Sequence, residues 1–281
     1  MTMHRSMPRR SRRPTGPRAG RVSRRAALAA SLVIPLTLAA WSTSAADGEA
    51  RRGLRYQIEV AGVQVGRVEI AAAAGREAAD ARVRFRIDGL LGLMDRERGE
   101  LEARGRVDRD GRVVPAAFTS LFEKSDRRRE VSIRYGRDGE VSELELRRDG
   151  RPRGTDVPED LREGTVDTLT AFWRLREWLG DDRDEGRVAV FDGRRRYDLL
   201  ATRLGREAAE LDGREVRAER VELTLVPRAG FDEDEKVFGN RIDPDEPWAE
   251  LLVATDDGDG VPLSLTGRGR MKWRIVLDGE G

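Results

Sequence analysis

The sequence of 281 residues contains no cysteine and only one histidine, His4. His4 lies in an N-terminal segment that we predict to be removed, so the remaining chain has neither a thiol nor an imidazole. This absence excludes catalysis by cysteine or histidine, and it excludes zinc, haem or copper sites built on nitrogen and sulfur ligands. It also excludes disulfides, so the fold depends on its core alone. We predict no enzyme, no catalytic residue and no cofactor.

The first 46 residues have the pattern of a secretory signal. Residues 1–25 contain nine arginines and no acidic residue, residues 26–41 are mostly apolar, and small residues precede and include Ala46. A basic segment, an apolar segment and a small-residue cleavage site are the three parts of such a signal. We therefore predict that residues 1–46 are a cleavable export signal and that residues 47–281 form a single β-rich periplasmic domain.

Two arginines, Arg24 and Arg25, come immediately before the apolar segment and resemble the twin-arginine signal, whose substrates are exported folded. One alternative is an uncleaved membrane anchor, but about 16 residues are fewer than the roughly 20 that span a bilayer. Another is a start codon assigned too early within the basic segment. After cleavage no stable membrane span is expected, and the export machinery is an expected partner.

Cleavage also changes the net charge of the protein. The chain has 53 basic and 52 acidic residues, and residues 1–46 hold nine of the basic ones and none of the acidic ones. The remaining 44 basic and 52 acidic residues give a net charge of about −8. Because an acidic body repels phosphate backbones and anionic lipid surfaces, we expect no nucleic acid among its partners.

Apolar residues alternate with polar ones through most of the chain after residue 54. The clearest alternating sets are Leu54, Tyr56, Ile58 and Val60; Val83, Phe85 and Ile87; Val131, Ile133 and Tyr135; and Val221, Leu223 and Leu225. A period of two predicts antiparallel strands with one buried and one solvated face. We expect an all-β, mainly antiparallel fold of about 11 to 13 strands.

Turn residues lie between the alternating segments. Five hairpin signals are Asp110-Gly111, Asp138-Gly139, Asp149-Gly150, Asp192-Gly193 and Asp212-Gly213. Asp-Gly is preferred in two-residue hairpins because both residues adopt positive φ there, so neighbouring strands are predicted to pair as a meander. A sheet this large tends to curl, and closure removes exposed edges. We expect a barrel or a strongly curved sheet.

One segment, Thr165 to Leu179, has helical spacing, with Thr165 as the expected N-cap and Gly180 as the stop. Its apolar residues include Leu169, Phe172, Trp173 and Trp178. We predict that this amphipathic helix packs on the curved sheet as a plug or lid. In the alternative interpretation the same four residues line a ligand cavity, and they are therefore the predicted ligand-binding residues. Asp167 is expected to interact with the helix dipole rather than to act in catalysis.

Two acidic segments, residues 232–235 and 256–260, are the places where a hard cation would bind. Neither has the alternating ligands and distal glutamate of a calcium loop. We predict no metal site, and we expect both segments to be solvated loops whose charges avoid burial. Residues 228–248, which are rich in Asp, Glu, Gly and Pro, are predicted to form a long mobile loop.

Four short segments occur in the order found in a bacterial envelope family. They are YQIEVAGVQVGRVEI at 56–70, TVDTLTAFWRLR at 165–176, VFDGRRRYDL at 190–199 and GVPLSL at 260–265. On these segments the chain resembles the family catalogued as domain of unknown function 3108, over roughly Leu54 to Leu277. The resemblance implies a secreted, mainly β domain with no known enzymatic activity, and it supplies no catalytic residues. The outline is also similar to that of periplasmic carriers of lipids and lipoproteins, which is an analogy of fold only.

Three functions remain open. The first is a binding protein that holds an apolar or amphipathic envelope ligand, such as a lipid, between the concave sheet and the helix. The second is a structural or scaffolding factor of the envelope, with a packed interior and an acidic outer face that meets a protein partner. The third, the least favoured, is a hydrolase that uses carboxylates such as Asp167 and Asp192.

Overall fold

The computed structural model describes residues 52–88, 96–232, 235–237, 240–256 and 260–280. It contains one α-helix, α1 (Thr170–Leu179), and a short 3₁₀ helix at Asp160–Arg162 among these residues. The strands are β1 (Arg52–Val60), β2 (Val63–Ala74), β3 (Ala78–Ile87), β4 (Glu97–Val107), β5 (Val113–Lys124), β6 (Arg127–Tyr135), β7 (Val141–Arg148), β8 (Arg151–Arg153), β9 (Glu185–Phe191), β10 (Arg196–Leu211), β11 (Arg214–Ala229), β12 (Lys236–Val237), β13 (Asn240–Arg241), β14 (Ala249–Ala254), β15 (Val261–Gly267) and β16 (Trp273–Glu280).

Fourteen of the strands form one sheet, in the order β8-β7-β6-β5-β4-β3-β2-β1-β16-β15-β14-β11-β10-β9. All of its neighbouring strands pair antiparallel. The chain runs as a meander from β1 to β8, crosses through α1 to β9, and returns through β16 to pair with β1. The two ends of the described chain therefore lie in the middle of the sheet, and its two edges, β8 and β9, come from the middle of the chain.

The hydrophobic core lies on one face of the sheet, as the alternating pattern predicts. Tyr56, Ile58, Val83, Ile133 and Leu223 are all almost completely buried there. The opposite face is charged, and arginines on it pair with acidic residues of the neighbouring strand. This arrangement explains how a chain in which 37% of the residues are charged still folds, because each charged side chain covers the sheet without entering its core.

Because the sheet curves strongly, strands that are far apart in the strand order come into contact. The turn between β9 and β10 touches β6, since a Cβ atom added to Gly193 would lie 2.3 Å from Cγ1 of Val131. β10 and β6 stand at positions thirteen and three of the strand order. No hydrogen-bonded pairing joins the described edge strands β8 and β9, so the sheet is curved but has a seam between them. Residues 154–184, which contain α1, connect the two edges.

The fold confirms the all-β prediction, but the strand count of 11 to 13 is too low. The additional strands have weak patterns: β8 is only Arg-Pro-Arg, and β4 has few large apolar residues. The five Asp-Gly pairs all lie between paired strands, although only Asp149-Gly150 and Asp212-Gly213 have positive φ at both residues. The predicted mobile loop at 228–248 is also only partly right, because it contains the last residues of β11 and the ribbon of β12 and β13.

The helix starts four residues later than predicted. Thr165 is not the N-cap: its hydroxyl donates to the carbonyl of Arg162 at 2.6 Å. Val166 instead forms a parallel bridge to Val190 of β9, which keeps this stretch extended. The helix ends at Leu179, just before Gly180, as the sequence predicts.

Candidate functional site

The predicted ligand-binding residues lie on the buried side of α1 and at Leu169, the residue just before it. Leu169, Phe172, Trp173 and Trp178 are each 5% exposed or less and belong to the main core. The helix packs against β9 at one edge of the sheet and against β5 near the other. The structure therefore brings the four side chains together inside the curved sheet and across its seam. That a guest molecule takes this space stays a prediction.

The N-terminal end of α1 is capped by Asp167. Its Oδ1 accepts the N–H groups of Leu169 and Thr170, both at 2.9 Å, and its Oδ2 accepts the Thr170 hydroxyl at 2.6 Å. Burial raises the pKa of Asp167 to about 6, although these hydrogen bonds lower it. Both oxygens of this carboxylate are thus engaged in holding the helix start, which is the role that its position predicts.

The C-terminal end of α1 is held by Arg203 of β10. Its Nη2 donates to the carbonyls of Trp178, Leu179 and Asp181 at 3.1, 2.9 and 2.7 Å. Its Nη1 pairs with Glu219, and its guanidinium lies 4.8 Å from the centre of the Trp178 ring. A cation is favourable at the end of a helix, where carbonyls lack intrahelical partners. The guanidinium of Arg203 is therefore fully engaged by backbone carbonyls, by Glu219 and by the Trp178 ring.

A small recess lies beside the N-terminal end of α1, between β4–β6 and the turn from β9 to β10. It encloses about 20 Å³, which is room for one water-sized group. One wall is apolar and consists of Leu101, Phe118, Phe122 and Val131. The other wall is polar and consists of Ser120, Arg129, Thr168, Asp192, Arg194, Arg195 and Tyr197. The recess is thus amphipathic at the point where the helix begins.

Two carboxylates hold the turn that forms the floor of this recess. Asp192 accepts the N–H groups of Arg194 and Arg195 at 2.9 and 2.6 Å and the Nε of Arg195 at 2.8 Å. Glu235 accepts from Nη1 of Arg195 at 2.8 Å and from Nη2 of Arg194. Burial opposes the charge of Arg195, but Asp192 and Glu235 together raise its pKa above the ordinary value. Arg195 is therefore a structural, fully paired cation.

Arg129 of β6 lacks such partners. It is partly buried, and among the residues that the structure describes no carboxylate lies within ion-pair distance of it. Burial and the charges of Arg194 and Arg195 lower its pKa to about 10, with Asp192 opposing them. Nearby, the Nε of Arg194 and the hydroxyl of Tyr135 are buried without a hydrogen-bond partner. These unpaired donors on or near the recess are suited to an oxyanion.

Sequence reasoning named none of these arginines as site residues. A signal was present in the sequence, because Arg129 alternates in step with the buried Val131 and Ile133 on β6. Arg195, in the turn just before β10, stands two residues before the buried Tyr197. An arginine on the apolar face of an alternating strand is buried and needs a partner or a ligand. The prediction that the 232–235 charges stay solvated is wrong for Glu235, which is buried because it pairs with Arg194 and Arg195.

Other predicted residues lie outside the described part of the chain. Arg24, Arg25 and Ala46 of the export signal do so, as do residues 233, 234 and 257–259 of the two acidic segments. Within the described ranges, the structure shows no group of three or more Asp, Glu, His or Cys side chains placed to hold a metal ion. No helix in those ranges is long and apolar enough to cross a membrane.

Comparison with known proteins supports the fold. A family model described as "Protein of unknown function (DUF3108)" matches residues 55–266, about three quarters of the chain, and confirms the resemblance noted in the sequence. The chain is also similar to a crystal structure described as a beta-barrel-like protein of domain of unknown function DUF1849 from Brucella abortus. That similarity has 13% identity and a TM-score of 0.50, and it covers 82% of this chain and 96% of the other. No curated protein matches significantly.

Proposed function

The chain belongs to the DUF3108 family of proteins of unknown function, and from its own geometry we propose that it is a non-catalytic binding protein. Its ligand is an apolar or amphipathic molecule of the cell envelope, such as a lipid. The protein acts in the periplasm after export. The observation that carries the proposal is the seam of the curved sheet, which is filled by one helix instead of by paired strands.

A seam filled by a helix can open without breaking the sheet. Strand β10 forms a long ladder with β11 and a shorter one with β9, whereas α1 is held mainly by apolar packing and by contacts at its two ends. A helix that moves away exposes its own apolar side and the concave face of the sheet. An apolar chain that enters at the seam can then cover both surfaces, so α1 acts as a lid over the binding site.

The burial of apolar surface by the ligand provides enough free energy to displace α1 from the sheet. A guest that removes roughly 300 Å² of apolar surface from water gains about 8 kcal/mol before the costs of ordering. The lid gives up part of its own packing, so the net binding energy is smaller. The buried hydroxyl of Tyr135 and Nε1 of Trp178 have no hydrogen-bond partner. A polar part of the ligand can accept hydrogen bonds from these donors, which also supports the proposal.

A co-purified ligand is the first test of this function. The protein is purified from the compartment to which it is exported, and native mass spectrometry is compared before and after solvent extraction. We expect an added mass of several hundred daltons that extraction removes and that organic-phase analysis identifies as a lipid. A single mass equal to the mature chain in repeated preparations, together with no binding of added lipid, would contradict the proposal.

Tryptophan fluorescence tests the lid. Trp173 and Trp178 lie on α1, while Trp248 and Trp273 contact each other with ring centres 5.2 Å apart. In a variant carrying Trp248→Phe and Trp273→Phe, the emission maximum of α1 should shift when the ligand binds, because the two rings exchange contacts with the sheet for contacts with the ligand. The matched variant carrying Trp173→Phe and Trp178→Phe should show no shift. A shift of the same size in both variants would indicate a general change and not a lid movement.

Export is tested separately. We propose that residues 1–46 are cleaved and that Arg24 and Arg25 direct the chain to the twin-arginine pathway. N-terminal sequencing of the exported protein should begin at residue 47. Replacing both arginines by lysine should leave the precursor in the cytoplasm. Export of this variant at the normal level would assign the signal to the general secretory route instead.

A scaffolding role is the second candidate, and the packing of the four apolar side chains of α1 favours it. If the interior never opens, the protein acts through its surface and through a protein partner. Crosslinking in intact cells should then recover one partner in fixed ratio, and raised salt should weaken the complex. Under this alternative neither co-purified lipid nor a fluorescence change of α1 is expected.

A further inference from the structure

Arginines form a row across one end of the sheet, on its inner face. Arg129 of β6 pairs in register with Phe122 of β5 on one side and with Arg148 of β7 on the other. Arg148 in turn pairs with Arg151 of β8. Phe122 lines the recess, so the row begins in the recess and runs outward to the edge of the sheet at the seam.

The row lacks the acidic partners that other arginines of the sheet have. On the outer face, Arg84 lies 3.0 Å from Glu100 and Arg220 lies 2.8 Å from Glu250, in each case across neighbouring strands. Arg129, Arg148 and Arg151 make no ion pair within the described ranges of the chain. Like charges directly opposite each other on neighbouring strands destabilise a sheet. This arrangement costs stability unless a further negative charge is present.

Arg194 extends the row from the other side of the recess. Its Nη2 is engaged by Glu235, but its Nε is buried without a partner. Ser120 and Thr168 add two hydroxyl groups to the same lining. Guanidinium and hydroxyl groups that converge on one small space are donors for the oxygens of a phosphate or a carboxylate. The carboxylate that lines the recess, Asp192, and the nearby Glu235 are already engaged by Arg194 and Arg195.

We propose that the arginine row binds the anionic group, a phosphate or a carboxylate, of the ligand, and that one oxygen of this group enters the recess. The inference rests on the proposed function and names the chemical class of its ligand: an amphipathic molecule with an anionic headgroup. Phe118 and Phe122 contact the first part of the apolar chain, and the chain continues under α1. The net charge of the mature protein resists a whole anionic surface, so the headgroup of a single extracted molecule is favoured over a membrane.

Calorimetric titration with three probes tests this inference. Dodecyl phosphate, below its micelle concentration, carries both parts of the ligand; dodecyl maltoside carries only the chain; inorganic phosphate carries only the anion. All titrations use one ionic strength, because salt screens exposed arginines. Dodecyl phosphate should bind at least tenfold more tightly than either of the other probes.

Two variants on neighbouring residues provide the control. Arg129→Gln changes the inner face of β6, while Arg128→Gln changes an ion-paired arginine on the outer face of the same strand. Arg129→Gln should weaken dodecyl phosphate binding at least tenfold and leave dodecyl maltoside binding unchanged. Arg128→Gln should leave both within a factor of two. Thermal melting of each variant confirms that it is folded.

The remaining outcomes separate this inference from the proposed function. Equal binding of dodecyl phosphate and dodecyl maltoside, unaffected by Arg129→Gln, would overturn the anionic headgroup and support the apolar ligand. Inorganic phosphate binding as tightly as dodecyl phosphate, with loss in Arg129→Gln, would support the anion site and overturn the amphipathic ligand. Equal weakening by Arg128→Gln and Arg129→Gln would overturn the specific site. Binding of none of the probes would overturn both proposals.

Discussion

The two ends of α1 each have an arginine nearby, and the two arginines differ in every contact. Arg203, at the C-terminal end, pairs with Glu219 and donates to four carbonyls. Arg129, beside the N-terminal end, contacts no carboxylate in the described part of the chain, and its neighbours Arg194 and Arg195 carry the same charge. The first arrangement stabilises the fold. The second does not stabilise the fold, and its unpaired guanidinium is suited to binding an anion.

The comparison shows that burial of a charge does not by itself indicate function. The side chains of Arg203 and Arg195 are only 12% and 4% exposed, yet each has a complete set of partners and so needs no ligand. The informative feature is a guanidinium that lacks a partner. Four substitutions test the contrast, from the largest expected effect to the smallest.

Replacing Arg203 by glutamine should have the largest effect on stability. The change leaves Glu219 buried without its partner and removes the cation from the end of α1. Breaking a buried ion pair by removing one partner costs about 3 to 5 kcal/mol. Urea unfolding measures the loss, and Arg206→Gln, an exposed position on the same strand, is the control and should change stability by less than about 0.5 kcal/mol. A similarly small change in both variants would mean that the contacts of Arg203 at the C-terminal end of α1 do not stabilise the fold.

Replacing Asp167 by asparagine should change how stability depends on pH. The pKa of Asp167 in the fold is about 6, above the ordinary value of 3.8, because of burial. A raised pKa means that the folded state favours the protonated form, so the contribution of Asp167 is present at pH 4 and is lost as the pH rises through 6.

The measurement for Asp167 is the free energy of unfolding at several pH values. Relative to the unchanged protein, Asp167→Asn should become more stable by roughly 2 to 3 kcal/mol between pH 4 and pH 7. The sign distinguishes this group from Asp198, whose pKa is lowered by Arg196, Arg228 and Arg187 against the effect of its burial. A difference between the two proteins that is constant over this range would contradict the prediction.

Replacing Gly193 by alanine should disturb the recess and cost about 2 kcal/mol. Gly193 has a φ of +90°, which disfavours any residue with a side chain, and the new Cβ would collide with Val131. Because the turn carries Asp192, Arg194 and Arg195, we expect weaker dodecyl phosphate binding as well. Gly213 also has a positive φ, but an added Cβ there would meet no other atom within 4 Å. Gly213→Ala is therefore the control for the effect of φ without a collision, and it should leave binding unchanged.

Replacing Arg129 by glutamine should have the smallest effect on stability and the opposite sign. Removing an unpaired, partly buried charge relieves its repulsion with Arg194 and Arg195, so the free energy of unfolding should stay constant or rise by up to about 1 kcal/mol. Urea unfolding without ligand measures it. A loss of several kcal/mol would show that Arg129 has a structural role like that of Arg203.

Much of the fold follows from local sequence signals. The alternating apolar residues of β1, β3, β6 and β11 lie in the core, the five Asp-Gly pairs separate paired strands, and Gly180 follows the end of the helix. Each of these features depends on residues that are close in the chain. The period of two and the turn chemistry are therefore sufficient to predict them.

The features that sequence reasoning missed depend on contacts between distant residues. Val166 is extended because it bridges to Val190, and β16 pairs with β1 across the whole domain sequence. The three residues of β8 carry no pattern that distinguishes them from a loop. The recess combines residues of β4, β5, β6 and the turn after β9, which come together only when the sheet curves. Only the position of the arginines on apolar faces gave a local signal for it.

Amide hydrogen exchange is the most direct test of the central claim that α1 is a removable lid. Exchange is followed by mass spectrometry with and without a saturating amphipathic ligand. The account predicts that the amides of α1 exchange at least tenfold faster when the ligand is bound, while those of β10 and β11 stay protected. Protection of α1 equal to that of β10 and β11 in both states would contradict it.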